Sequence, residues 1–219
     1  MTLARVLISG ANGVLARSLA ARVRGGGGSC FGVSRRGADV AGFERVFGFG
    51  DAPWREEQWR AALREARPRA VFHLAGRKSG AEAQILAANV DCAVALFAAM
   101  RDLSIATPIV LAGSAAEYGA ALRDGAPTLE SASCAPASSY GRAKLRQTEA
   151  GLVFAQTTGR RVISARIFNA IGPGMPDYLA LGDFAAQIAA APAEDGVLAS
   201  GNLDVAHDFI GYDAVAATL

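Results

Sequence analysis

The strongest constraint on what this chain can fold into comes at its start. Ala4 to Ser9 reads as a short apolar strand, and Gly10-Ala11-Asn12-Gly13-Val14-Leu15-Ala16 follows without a linker. Leu15, Leu19 and Val23 then recur at helical spacing. A strand that breaks through a glycine turn into a helix presents backbone N–H groups and the positive end of the helix dipole to one point, which suits an anion. Gly10 permits the turn, Gly13 lets a pyrophosphate approach the backbone, and the small Ala16 allows close helix–strand packing. The glycine spacing is one residue wider than the usual fingerprint. At the first strand of an alternating chain it still favours dinucleotide binding, with Gly10, Asn12, Gly13 and Val14 as the cradle.

The alternation continues. Strands are expected near Cys30–Ser34, Val46–Gly50, Ala70–Leu74, Ile109–Gly113 and Arg161–Ile167, with helices near Trp54–Glu65, Ala81–Arg101 and Tyr140–Thr157. That order predicts an α/β fold with a doubly wound, Rossmann-type parallel sheet. The Gly25-Gly26-Gly27-Gly28 run lies at the wrong end of the first helix to hold phosphate and reads as a connector. Ala120 to Ser138, rich in Pro, Ser and Ala, reads as a long surface loop, and loops of that length are usually lids or binding loops.

Composition narrows the class. With 219 residues, 52% of them hydrophobic and 19% charged, the chain can bury one sizeable core. A net charge of +2 indicates neither a nucleic-acid nor a membrane partner. No apolar run is read as approaching the ~20 residues that cross a bilayer. The first strand leaves no room for a signal peptide, so a cytoplasmic location is expected. Cys30, Cys92 and Cys134 are odd in number and lack metal spacing, so they read as reduced thiols with no metal expected.

Two candidates for chemistry stand out. Tyr140 and Lys144 share one helix face at i, i+4. A cation about 4 Å from a phenol, at an effective dielectric near 20, is worth roughly 4 kcal/mol and lowers the phenol by at most about three pKa units, towards working pH. The pair is therefore expected to act as a lysine-activated proton donor. The second strand ends Gly32-Val33-Ser34-Arg35-Arg36 with no acid until Asp39. An acid there would hold a ribose 2′-OH, whereas Arg35 suits a 2′-phosphate, so NADP(H) is expected in preference to NAD(H).

In these residues the chain resembles the extended short-chain dehydrogenase/reductases that act on nucleotide sugars, the NAD-dependent epimerase/dehydratase family. Further motifs follow in order: His73-Leu74-Ala75-Gly76, Asn89-Val90, the run Leu111 to Gly119 with Ser114 and Tyr118-Gly119, Tyr140 to Lys144, Arg166 to Gly174, and His207-Asp208-Phe209 followed by Asp213. The resemblance implies that Ser114 bonds the sugar oxygen, Tyr140 transfers its proton, and Lys144 holds the nicotinamide ribose and lowers the tyrosine pKa. It further implies that Asp51 touches the adenine, that Ala75, Gly76 and Asn89 support the coenzyme, and that Phe168 lies by the nicotinamide. Asn169 and His207 fall at the substrate. His73 reads as the end of a strand, and a homodimer through the Ala81–Arg101 and Tyr140–Thr157 helices is implied.

Within the family, dehydration needs acidic residues between the catalytic hydroxyl and the Tyr-Gly turn. Here Ala115 and Ala116 occupy those positions, with Glu117 one place late. Epimerisation at C3 and C5 needs a further acid/base pair, and neither His73 nor His207 falls in its place. A C4 epimerase keeps NAD bound, which Arg35 argues against, although that activity stays an alternative. Reduction of a 4-keto nucleotide sugar is the expectation, with most resemblance to the GDP-4-keto-6-deoxy-mannose reductase branch. Ala170, Met175 and His207 depart from that branch's His, Gln and Arg, which leaves GDP, dTDP and UDP open. The domain expectation is a coenzyme-binding unit over 1–168 and a partial substrate lobe over 169–219, with a return of the chain to the first unit left open. Because the family's chains are longer, a catalytically idle NADP-binding regulator or partner subunit is the alternative of another class.

Overall fold

The computed structural model describes residues 5–122, 126–191, 196–204 and 206–219. Ala4 and residues 123–125 of the long loop lie outside them. Six strands, β1 (Arg5–Ser9), β2 (Ser29–Ser34), β3 (Arg45–Gly48), β4 (Ala70–His73), β5 (Ile109–Ser114) and β6 (Val162–Ile167), form one parallel sheet in the order β3-β2-β1-β4-β5-β6. Parallel neighbours need crossovers, and helices supply them except between β2 and β3, which residues 35–44 join without a helix.

Strand alternation sends successive side chains to opposite faces. Val6, Ile8, Cys30, Phe72 and Val110 form one core with Leu19 and Ala20 of α1 (Val14–Gly25) and Ala216 of α7 (Tyr212–Thr218). Leu7, Val33, Val71, Ile109 and Leu111 form the other. It is closed by Trp59 and Leu63 of α2 (Glu56–Ala66), Leu96, Phe97 and Met100 of α4 (Cys92–Asp102), and Phe154 of α5 (Ser139–Thr158).

The expected helix over Ala81–Arg101 is a continuous helical run with an irregular middle. It comprises α3 (Glu82–Leu86), a π-helical turn (Ala87–Asp91) and α4. This run, Glu82–Asp102, is long and apolar enough by length and composition to cross a membrane, contrary to the reading that no segment approaches that length. Its Ala-rich composition reflects burial in protein: one side packs on α2 and on α5.

Beyond β6 the chain adds elements that were not read from the sequence. β7 (Asn169–Ile171) and β8 (Phe209–Gly211) make a separate parallel pair, with α6 (Ala180–Ala190) between them in sequence. The final helix is α7, and it packs onto α1.

The seating of α4 gives a direct test. Leu96 is fully buried and Val94 is 47% exposed on the same helix. Leu96→Ala should cost about 2–5 kcal/mol by urea unfolding, whereas Val94→Ala should stay within about 0.5 kcal/mol. Equal losses would mean that the helix presents a different face to the sheet.

Candidate active site

Strand order reverses between β1 and β4, and a crevice opens outside their carboxyl ends. Gly10 has φ +77°, and a Cβ there would lie 3.1 Å from the backbone of Ala75. The turn is pinned by Gly10 and Ala11 N–H donating to the Val33 carbonyl at 2.8 and 3.1 Å. Gly13 caps α1 without any side-chain bond, and the first turn carries no acid. The first N–H groups of a helix lack intrahelical partners, so this end fits the diphosphate of a dinucleotide. Arg35 follows β2 and Asp51 follows β3, and their side chains meet at 3.6 Å, both well exposed. Gly174, from the run after β6, comes near Val14 and Arg17 of α1.

Across the crevice, α5 begins under a cap in which Ser138 Oγ accepts the Gly141 N–H at 3.0 Å. Gly141 is needed there, because any side chain would run into the Ala116 carbonyl oxygen. That close approach brings the first turn of α5 onto the 3-10 turn Ala115–Glu117 that ends β5. Ser114 and Tyr140 consequently line one cleft of about 1180 Å³, shared with Gly76, Lys144, Phe168, Asn169 and His207. Ser114 Oγ accepts the Ala116 N–H at 3.2 Å, which leaves its own proton free to donate.

Lys144 is buried, and its Nζ donates to the Ala112 carbonyl at 2.8 Å and to Gln147 Oε1 at 2.9 Å. Burial pulls its pKa down to about 8, with Glu117 opposing the shift. The expected activation of the phenol is not observed. Burial pushes the Tyr140 phenol above its ordinary value, Ser114 pulls it back, and Glu117 adds to the rise. The reason is geometric: Lys144 Nζ runs inward, 6.0 Å from the Tyr140 ring centroid, and spends its hydrogen bonds on α5 and β5.

Ala115 and Ala116 face the cleft. Glu117 is fully buried instead, accepting from Ser114 N–H at 2.8 Å, Thr148 Oγ1 at 3.1 Å and Arg166 Nε at 3.0 Å. Asn89, in the π-helical turn, is also buried and does not line the cleft. Its amide donates to the Arg77 and Ile85 carbonyls, both at 2.8 Å, so it braces the loop after β4 from behind. Gly76 sits directly above both Asn89 Oδ1 and Lys144 Nζ. Asn169 donates to the Asp208 carbonyl at 3.0 Å, tying β7 to the segment that carries His207. Leu122, Ala126, Thr128 and Ser138 of the long loop line the cleft as well.

The family model for the NAD dependent epimerase/dehydratase family matches residues 6–219. The chain belongs to that family. Among curated members, dTDP-6-deoxy-L-talose 4-dehydrogenase (NAD(P)(+)) of Kitasatospora kifunensis is 31% identical over 211 residues, 94% of this chain and 66% of its own length. GDP-6-deoxy-D-mannose reductase of Pseudomonas aeruginosa is 31% identical over 157 residues, 68% of this chain and 51% of its own length. A solved structure from Burkholderia cenocepacia J2315, of a protein assigned as an epimerase, is 30% identical with a TM-score of 0.84, covering 98% of this chain and 69% of that one. The chain thus spans about two thirds and about half of the curated family members it matches.

Three polar residues of this family member escaped sequence reading: Gln147, Thr148 and the buried role of Glu117. The available signal was Lys144, Gln147 and Thr148 on one face of a helix, i, i+3 and i+4, opposite an exposed face. His73 ends β4, fully buried, with Nδ1 2.9 Å from Ser9 Oγ. Burial, helped by Lys144, lowers its pKa to about 3. An unfolded imidazole takes a proton below about 6.5 and the buried one does not, so stability should be fully present above pH 6.5 and fall as pH drops towards 3. The loss approaches roughly 5 kcal/mol. His73→Gln should flatten that slope in urea melts at a series of pH values; an unchanged slope would assign the acid sensitivity elsewhere.

Proposed function

We propose that this chain catalyses NADPH-dependent reduction of a 4-keto nucleotide sugar, the sugar ketone becoming an alcohol. The observation that carries the reading is a cleft in which Ser114 and Tyr140 converge while the intervening positions that line it are Ala115 and Ala116. Such a site can protonate an oxygen, and the one carboxylate of that turn, Glu117, is buried outside the cleft where it cannot remove a sugar proton. The curated relatives named above, a 4-dehydrogenase and a reductase, support the same class.

When bound, NADPH supplies the two electrons and the hydrogen that reach the carbonyl carbon. Gly10, Asn12, Gly13 and Val14 would hold its diphosphate on the α1 dipole, Arg35 its 2′-phosphate, and Asp51 the adenine. Ala75 and Gly76, braced by Asn89, would flank it, with Phe168 by the nicotinamide and Lys144 at the ribose. Ser114 donates its free proton as a hydrogen bond to the ketone oxygen and orients it. Tyr140, kept protonated by burial, gives its phenolic proton to that oxygen as charge develops there. Lys144 is cationic below about pH 8, and with its Nζ drawn inward its part would be to hold the nicotinamide ribose rather than to activate the phenol. Asn169 and His207 would contact the substrate from the 169–219 lobe, and residues 1–168 would form the coenzyme domain. The exposed Val94, Leu152 and Val153 on α4 and α5 support a homodimer through these helices, which sedimentation at micromolar concentration tests.

Loss of NADPH absorbance with dTDP-, GDP- and UDP-linked 4-keto-6-deoxy sugars tests the activity directly. Tyr140→Phe should lower kcat by about 10²–10⁴-fold with NADPH affinity nearly intact. Retention of more than about a tenth of kcat would refute the proton-donor role. NADPH binding with no turnover on the whole panel would instead favour a coenzyme-binding regulator. Arg35→Ala should weaken NADPH far more than NADH, and equal losses would mean that Arg35 does not read the 2′-phosphate.

A further inference from the structure

Behind the cleft, one carboxylate gathers more of the site than any residue inside it. Glu117 is fully buried, yet it meets the end of β5 at Ser114 N–H (2.8 Å), α5 at Thr148 Oγ1 (3.1 Å) and β6 at Arg166 Nε (3.0 Å). Thr148 Oγ1 is in turn 2.7 Å from Ser164 Oγ on β6. Arg166 carries the chain outward: Nη1 donates to Tyr118 OH at 3.0 Å and to the Glu130 carbonyl in the long loop at 2.9 Å. Its guanidinium also lies 4.6 Å from the Tyr118 ring centroid. Thr148 is one turn beyond Lys144 and two beyond Tyr140 on α5, so the carboxylate fixes the register of that helix against the Ser114 turn.

A buried ion pair is a poor device for stability alone, since apolar residues of similar volume commonly serve as well or better. Its retention here is explained by what it aligns. We propose that Glu117 is a positioning residue for the reaction, locking the Ser114 turn to α5 and β6 and so setting the separation between the Ser114 hydroxyl and the Tyr140 phenol. The assignment rests on the ketoreductase reading for its effect on turnover, while its effect on the phenol stands apart from that reading.

The charged and titratable groups around this carboxylate are Arg166 on β6, Tyr118 beside it on the turn, and Tyr140 and Lys144 on α5; His73 on β4 faces Lys144 from the other side. The negative charge favours the protonated form of both Tyr140 and Lys144. Glu117→Gln keeps the shape and the acceptor for Ser114 N–H but removes that charge and the Oε2 acceptor shared by Thr148 and Arg166.

In Glu117→Gln the ultraviolet tyrosinate titration of Tyr140, obtained by subtracting the same variant carrying Tyr140→Phe, should move to lower pH. The alkaline limb of kcat should move with it, and kcat should fall by about 10²-fold, as a misplacement of roughly 1 Å costs, with NADPH affinity unchanged. A second variant guards against a trivial folding loss: Glu117→Met with Arg166→Met should regain much of the Tm lost in Glu117→Gln without regaining kcat. An unmoved Tyr140 titration, an unchanged kcat, or recovery of kcat together with Tm would each overturn the assignment and leave the pair a structural one. If the wild-type chain turns over no keto sugar, the ketoreductase reading fails and the Tyr140 titration alone decides whether Glu117 acts on the phenol.

Discussion

The site is organised by the divergence of the chain at the middle of a parallel sheet. From β1 the sheet grows towards β2 and β3 on one side and towards β4, β5 and β6 on the other. Loops leaving the carboxyl ends therefore separate, and Gly10 against the Ala75 backbone marks how closely the two sides still meet. On one bank lie the open end of α1, Arg35 and Asp51; on the other lie Gly76, Ser114 and the start of α5. A ligand with a nucleotide at one end and a reactive ring at the other matches this division.

The reactive bank is unusually polar for a helix–sheet interface. Lys144, Gln147 and Thr148 of α5 are all buried, facing Ala112, Glu117 and Ser164. Buried polar groups are costly unless satisfied. Most are, but His73 Nε2, Asn89 Oδ1 and Gln147 Nε2 have no partner among the described residues. These orphans lie on the β4, π-helical and α5 elements that adjoin the Gly76 loop, where burial already shifts His73 and Lys144 towards their neutral forms. Unpaired buried polar groups of this kind carry a desolvation cost that apolar residues there would not.

Much of this was legible in the sequence because strands β1, β2, β4 and β5 are buried on both faces and the strands are punctuated by helices of ordinary length. The trio Ser114, Tyr140 and Lys144 could be named because helix spacing alone puts the last two on one face. What they do electrostatically could not, because i, i+4 spacing fixes a face and not the direction in which a long ammonium side chain is drawn. The carbonyl of Ala112 and the amide of Gln147 decide that. Glu117 could be read only as absent from a catalytic position; its burial depends on Arg166, 49 residues away in sequence. The pair β7 and β8 escaped notice because three-residue strands carry no period, and Glu82–Asp102 looked unremarkable until its apolar length was seen on one continuous helix.

The packing of α7 on α1 has a kinetic corollary. Ala16, Leu19 and Ala20 of α1 share a core with Ala216, so the helix whose open end faces the crevice is backed by a segment made long after it during synthesis. Contacts of such wide separation form slowly, because the intervening chain must close before they are rewarded. A nascent chain halted before α7 would carry the glycine turn, Ser114, Tyr140 and Lys144 on a sheet with that flank of α1 still bare. The packing that backs the glycine turn is then completed late, with the arrival of Ala216 rather than with the glycines themselves.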